Sequence, residues 1–499
     1  MAYLLGIDIG TSTTKAVVFD SDSAKTVAVS SGHEYPIHKR QANYAEQNPD
    51  DWWQATIAAV RDVMQQLGTV ELAGIGFSGQ MHGTVLLNAD KQVIHPAIIW
   101  ADQRSSIEVA ALLEPFADGE FANITGTNPA VGFMGATLLW LKTHHPTLLN
   151  DTKYAILPKD YVRLQMTGQI HSEPSDAASS ALFDIRTSQW SRHIIEKVGL
   201  PYDIFPPLLS SADVVGELTS EAAQQFGLKA GIPVVAGCAD QPAQALGNGL
   251  IATGQASVTI GSGGQVFVPL SKVTQTDSRL HIFNHAVPNH WYILGAVLSA
   301  GLSLRWLRDV TGLQDNTDAY AILSREAAEV DAGADGLLFL PYLAGERTPH
   351  MNPHAKGVFF GLSYHHERGH LARAVMEGVA FALRQTLQIS LELGGQVDRV
   401  IASGGGLESA VWRQIVADVF GLPLHQSILT EQAGIGAALL AGVGTGIYAN
   451  FEAACRPLMT YGRVSQPNTG HQALYQTRYE QFLRLYPLLQ SEMEYYEKR

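Results

Sequence analysis

The chain has 499 residues with 46% hydrophobic and 16% charged residues, which describes a soluble globular protein large enough for more than one domain. Its formal charge of −14 excludes a global positive field for holding a nucleic acid or an anionic membrane, so neither is expected as a partner. Two cysteines, Cys238 and Cys455, cannot build a disulfide framework; with no secretory signal before the first apolar strand, a reducing cytoplasm is expected.

The stretch LLGIDIGTSTTKAVVFD, Leu4 to Asp20, reads as an apolar strand, a glycine-hydroxyl turn and a second apolar strand. Gly10, Thr11, Ser12, Thr13 and Thr14 make a turn whose backbone N–H groups and short hydroxyls can cradle an anion. Asp8 stands mid-strand just before it, and a carboxylate there is costly unless something pairs with it. A divalent cation bridging Asp8 to a bound phosphate would do so. An ordinary hairpin with threonines at its edges, and a carboxylate capping a turn, explain the same residues.

Next, NPDDWWQATIAAVRDVMQQLG predicts a helix. Asn48 caps it, Pro49 suits the first helical position, and Asp50 and Asp51 face the positive helix end. Ile57, Val60, Met64 and Leu67 recur at helical spacing before Gly68 stops the run. ELAGIGFSG follows as a buried strand; its Gly-x-Gly-x-x-Gly pattern lies inside that strand and no helix follows, so a dinucleotide site is set aside. GQMHG then places Met81 and His82 past the strand end, where open α/β sheets bind ligands, although a lone histidine is more often structural.

In AGCADQ, Asp240 and Gln241 follow another apolar strand among small residues. Asp240 is a good seat for a general base; a helix N-cap reads equally well. QASVTIGSGGQVFVPL repeats the opening device with Gly261, Ser262, Gly263 and Gly264 at its turn. SGGGLESAVWRQIVADVFGLP places Gly404, Gly405 and Gly406 before a helix with Trp412, Ile415, Val416 and Val419 on one face. Glycines at a helix start let a flat ligand or phosphate come close, and a tight strand-to-helix turn is the bland alternative. AGIGAALLAGVGTGI, from Ala433, is too short and glycine-rich to span a bilayer and reads as a buried helix.

Alternating strands and helices make this an α/β chain. The repeated strand–turn–strand unit predicts two like halves around a central cleft, residues 1–247 and 248–499, with the boundary near Asn248. No Gly-Lys-Ser/Thr phosphate loop, nucleophile elbow or His-Glu-x-x-His pair occurs, so zinc is not expected.

In this order GIDIGTSTTKAVVFD, AEQNPDDWW, GQMHGTVLL, PAIIWADQR, LPKDYVRLQMTG, AGCADQ, LPYLAGERTPHMNP, KGVFFGLS and GGGLESAVWRQIVAD run nearly the length of the chain. Together they resemble the FGGY family of carbohydrate kinases, and within it the branch acting on D-xylulose. The resemblance implies two actin/hexokinase-like (ribonuclease H-like) domains, with sugar deep in the cleft and ATP nearer its mouth. By the same resemblance Asp8 would organise Mg²⁺, and Thr11, Ser12 and Thr13 would line the first phosphate turn. Ser262 and Gly263 would form the second, with Gly301, Gly405 and Gly406 near the nucleotide. Met81, His82 and Gln241 would meet the sugar, and Asp240 would take the proton from the attacking hydroxyl. A homodimer is also implied.

The chain departs from the family's pattern at Gln241 (usually Asn), at Gly261-Ser262-Gly263 (commonly Gly-Thr-Ser) and at Thr137 (usually Lys). The resemblance implies ATP-dependent phosphorylation of the terminal hydroxyl of a ketopentose, D-xylulose giving the 5-phosphate, and Gln241 is the departure that bears on which sugar fits. A kinase for gluconate, ribulose or a polyol, and a sugar-independent actin- or chaperone-like ATPase, stand as alternatives.

Overall fold

The computed structural model describes residues 2–68 and 70–497. Its first sheet joins β1 (Tyr3–Ile9), β2 (Thr13–Asp20), β3 (Lys25–Val29), β4 (His33–Glu34), β5 (Leu72–Gly79), β6 (Val214–Glu217), β7 (Pro233–Val235) and β8 (Cys238–Ala239). The order across it is β6-β7-β5-β1-β2-β3, with β8 also on β5 and β4 on β2. The second sheet holds β9 (Gly254–Ile260), β10 (Gly264–Leu270), β11 (His281–Asn284), β12 (Trp291–Val297), β13 (Val397–Ser403), β14 (Leu424–Gln426) and β15 (Val464–Ser465), in the order β11-β12-β10-β9-β13-β14-β15.

The two sheets share one plan. β1 runs antiparallel to β2, closing at Ile9 opposite Thr14, and parallel to β5 with Asp8 opposite Ser78. β9 runs antiparallel to β10, closing at Ile260 opposite Gly264, and parallel to β13 with Thr259 opposite Ser403. The repeated turn seen in the sequence is thus a repeated hairpin at the same place in each sheet.

Helices cover these sheets and explain why the inner strands are apolar without strict alternation. The ones used below are α1 (Pro49–Leu67), α2 (Pro158–Thr167), α3 (Pro174–Ala177), α4 (Asp240–Gly247), α5 (Gly301–Val310), α6 (Arg368–Glu392), α7 (Ala410–Phe420) and α8 (Gln432–Gly444). α1 starts as expected, with Asn48 Oδ1 accepting the Asp50 N–H at 3.3 Å, and buries Trp52, Ile57 and Val60. α8 is the buried helix predicted from Ala433, but it packs on the first sheet rather than the second. Close approach demands glycine there: a Cβ on Gly6 would lie 1.9 Å from the Gly434 carbonyl oxygen. The chain therefore leaves the first half through α4 and returns to it in α8, where the two helices pack on each other.

Gly404, Gly405 and Gly406 precede α7 as read from the sequence, and of the two readings the backbone is the strand-to-helix turn: a 3-10 turn (Gly405–Glu408) intervenes, and Ser409 caps α7 by accepting the Trp412 N–H at 3.3 Å. The reason is the left-handed φ of +88° at Gly404, which turns the chain sideways before α7 can begin. Among the described residues no helix is long and apolar enough to cross a membrane.

Candidate active site

The first turn is held from behind by its carbonyls. Tyr35 Oη donates to the Gly10 carbonyl at 2.5 Å, Gln47 Nε2 to that of Thr11 at 2.7 Å, and the Tyr35 N–H to that of Ser12 at 3.1 Å. With these oxygens spoken for, the open face of the turn presents N–H groups and hydroxyls, as an anion cradle needs. Trp100 Nε1 donates to Thr11 Oγ1 at 2.8 Å while its ring stays 39% exposed, so an aromatic face stands beside the turn.

Asp8 lies on β1 just before this turn, opposite Lys15 on β2 and Ser78 on β5. Burial raises its carboxyl above the ordinary range, the Ser78 hydroxyl bond (2.7 Å) opposes that shift, and Glu431 and Lys15 add opposing smaller effects. Lys15 and Glu431 pair with each other at 2.7 Å across the two halves, so neither cancels the charge of Asp8. Among the described residues no cluster of three or more His, Cys, Asp or Glu side chains is arranged to hold a metal. A site of one or two carboxylates completed by phosphates is compatible with that.

Asp240 is the first residue of α4 and not its cap: Ala239 occupies the cap position, where it offers no side-chain hydrogen bond. Its Oδ1 is buried without a hydrogen-bond partner. Burial, reinforced by the charges of Asp8 and Asp176, pushes the carboxyl up to about 8, against opposing bonds from Gln241. The ionised form of a carboxyl with this acidity is a stronger base than an ordinary aspartate and is suited to accepting a proton from an alcohol.

His82 follows the end of β5, whose Gly79 pairs with Ala239, the residue before Asp240. Its Nδ1 lies 2.7 Å from the Ser179 carbonyl, so Nδ1–H donates and Nε2 keeps a free lone pair. Burial, joined by the Arg347 charge, lowers the imidazole to about 3 despite the Ser179 bond, leaving it neutral. The ring stacks on Phe133 with centroids 3.9 Å apart, and Met81 beside it is buried. The combination of apolar walls with a few directed polar groups suits a small polyol.

On the other half, a cavity of about 720 Å³ is lined by Ser262, Gly301, Gly405, Gly406, Tyr320 and Trp412, among others. It gathers most of the second-half candidates into one place; Gly263, next to Ser262 in the turn, is not on its wall. The Gly301 N–H donates to the Gly261 carbonyl at 3.0 Å and the Leu302 N–H to that of Ser262 at 3.0 Å, so the second turn rests on the start of α5. A Cβ on Gly301 would come within 2.2 Å of the Gly261 oxygen. Thr11, Ser12, Thr13 and Asp8 do not line this cavity, nor do His82 and Asp240.

Sequence reasoning missed Trp100, Phe133 and Arg347. Trp100 had a signal: like His82 and Asp240 it closely follows an apolar strand, Ala97–Ile98. Phe133 had none, because an aromatic ahead of a helix looks like ordinary core.

A buried ionic cluster also went unseen. Lys159 on α2 lies 2.8 Å from Asp160, 3.0 Å from Asp176 and 3.4 Å from Glu173, all buried. Arg163 meets Asp160 at 2.9 Å. Asp176 is nonetheless pushed up to about 7, chiefly by burial.

Comparison with known proteins agrees with this geometry. The N-terminal domain of the FGGY family of carbohydrate kinases matches residues 3–247 and its C-terminal domain residues 256–445. The chain is 35% identical to the xylulose kinase of Bacillus subtilis over 490 residues, 97% of each chain. It is 32% identical to the gluconokinase of the same organism over 461 residues, 91% of this chain and 89% of that one. The crystal structure of xylulose kinase from Rhodospirillum rubrum superposes with a TM-score of 0.92 at 30% identity, covering 99% of this chain and 100% of the other. Paired hairpin turns, a buried carboxylate with one unpartnered oxygen at a helix start and family matches over both halves lead to one conclusion, which sets a sugar-independent ATPase aside: the chain belongs to the FGGY family of carbohydrate kinases.

Proposed function

We propose that this chain transfers the terminal phosphoryl group of ATP to the terminal hydroxyl of D-xylulose, giving the 5-phosphate and ADP. The observation carrying this reading is the buried, unpartnered Oδ1 of Asp240, on a carboxyl held near 8. The sugar hydroxyl donates to that oxygen, attacks the γ-phosphorus as its proton passes to Asp240, and ADP departs with the electrons of the broken P–O bond. His82 accepts a second sugar hydroxyl on Nε2, Met81 and Phe133 wall the carbon skeleton, and Gln241 meets the sugar beside Asp240.

Thr11, Ser12 and Thr13 on the first turn, and Ser262 and Gly263 on the second, embrace the phosphates from opposite halves. Gly301, Gly405 and Gly406 floor the adenosine end. Asp8, buried with the Ser78 hydroxyl as its hydrogen-bond partner, fits a Mg²⁺ ion, which when bound would neutralise charge on the phosphates. We keep residues 1–247 and 248–499 as the sugar-side and nucleotide-side units, working as a homodimer in the cytoplasm.

Asp240→Asn is expected to lower sugar phosphorylation by about 10²–10⁴-fold while ATP still binds; substantial turnover in that variant would defeat the assignment. ADP release measured across D-xylulose, D-ribulose, gluconate and glycerol tests the substrate. Gluconate is the rival that specific observations favour, through Gln241 and through the Arg347 charge felt at His82. A preference for gluconate would replace D-xylulose in this reading.

A further inference from the structure

The two groups assigned to the sugar, His82 and Asp240, come from different strand ends, yet both are tied to one short buried segment, residues 173–180. That segment is α3 followed by a 3-10 turn (Ala178–Ser180). Ser175 Oγ accepts the N–H of Ala239, the residue before Asp240, at 3.0 Å and donates to Glu173 Oε1 at 2.9 Å. Ser179 Oγ accepts the His82 N–H at 3.1 Å and donates to the Asp176 carbonyl at 2.7 Å, while the Ser179 carbonyl accepts from His82 Nδ1 at 2.7 Å. Residues four apart on a helical segment share a face, so one face reaches both strand ends.

The segment is itself anchored. Glu173 accepts the N–H groups of Ser175 and Asp176, each at 2.9 Å, and the Ser211 hydroxyl at 2.7 Å. Lys159 sits against Asp176 and Glu173 below it. His82 needs such a grip: its φ is +70°, and the Gly83 N–H reaches back to the Met81 carbonyl at 2.9 Å to close a three-residue turn around it. A non-glycine residue persists in that conformation where its surroundings over-determine it.

We infer that Ser175 and Ser179 are positioning residues, a rigid gauge that sets Asp240 and His82 at the spacing of one sugar's reacting hydroxyl and one of its other hydroxyls. The inference rests on the sugar-kinase reading of those two side chains. Each serine hydroxyl both donates and accepts, so removing one loosens the backbone of the strand end it holds without touching the sugar, although the Ser179 carbonyl keeps its bond to His82 Nδ1.

The test is steady-state kinetics of Ser179→Ala and Ser175→Ala with D-xylulose and ATP, alongside thermal melting. Ser179→Ala is expected to raise the sugar KM about tenfold with the ATP KM unchanged, and Ser175→Ala to lower kcat about tenfold with little change in sugar KM, since small misplacements near a reacting centre cost up to about 10²-fold. Ser179→Thr, which keeps the hydroxyl, restores the sugar KM. In a His82→Ala background Ser179→Ala adds less than about twofold, because both act through one contact.

A silent Ser179→Ala, equal effects on both substrates, or a full additional loss in the His82→Ala background would overturn the inference. If Ser179→Ala does not fold, Ser179→Cys, with a weaker acceptor, gives the same readout. A His82→Ala variant with an unchanged sugar KM would instead overturn the placement of the sugar itself, and Ser179's role with it.

Discussion

The carboxyl of Asp240 makes two demands that can be measured independently. It is held near 8 by burial first and then by the charges of Asp8 and Asp176. Below that pH the base form is the minority: about 1% at pH 6, about 9% at pH 7 and about half at pH 8 for a single group titrating at 8. kcat/KM for the sugar, which reports the free enzyme, should therefore rise about tenfold from pH 6 to pH 7 and less than about twofold from pH 8 to pH 9.

The same shift acts on stability with a definite sign. An unfolded aspartate ionises near 3.8, so as pH climbs from there to about 8 the unfolded chain sheds a proton that the native one retains, and the native state loses ground. At about 1.4 kcal/mol per pH unit the upper bound is large, and relaxation and water in the cleft bring it to the order of a few kcal/mol. Asp240→Asn, unable to ionise, should melt higher than the parent at pH 8 and no higher at pH 4. The assays are a coupled ADP-release profile at fixed ionic strength and paired melting curves at the two pH values. A flat kcat/KM between pH 6 and pH 9, or an Asn variant whose advantage does not grow with pH, would refute the reasoning.

Removing the Lys159 ammonium leaves Asp176 and Glu173 without their cation, so Lys159→Met should cost about 3–5 kcal/mol at pH 8. The Asp176 carboxyl, already raised by burial, is then harder still to ionise in the native state, which makes the loss smaller at pH 5 by the same linkage; denaturant melts at both pH values check the magnitude and its direction. Two glycines of the cavity proposed for the nucleotide should both weaken ATP binding when substituted but differ in their effect on stability. Gly301→Ala drives a methyl to 2.2 Å from the Gly261 carbonyl and should displace the second turn, lowering both melting temperature and ATP affinity. At Gly405 a Cβ meets nothing within 4 Å, so Gly405→Ala should keep the parent melting temperature while calorimetry records weaker ATP binding.

Local chemistry made much of this protein legible in its sequence. Asn48-Pro49 starts α1, the glycine-hydroxyl turns at Gly10 and Gly261 close hairpins, and short apolar runs mark inner strands, because each depends on neighbours a few residues away. Ambiguity set in where one pattern serves two ends. ADQPAQALG fits either a capping aspartate or a base beside a helix start, and only the position of Ala239 as cap separates them. The three glycines before α7 fit either a helix N-terminus or a tight strand-to-helix turn because the φ of Gly404 cannot be read from its name.

The sequence by itself determined the elements, the duplication and the set of polar groups placed near strand ends, since propensity, capping and turn chemistry are written in contiguous residues. The tertiary structure alone decided that α8 crosses back to the first sheet, that Lys159 is ringed by three carboxylates, and that Ser175 and Ser179 reach Asp240 and His82. The physical reason is that buried charge and hydrogen-bond closure depend on the distance between residues far apart in the chain. Asp240 is pushed up by burial and by the charges of Asp8 and Asp176, residues 232 and 64 positions before it, which its own neighbours in the chain cannot reveal.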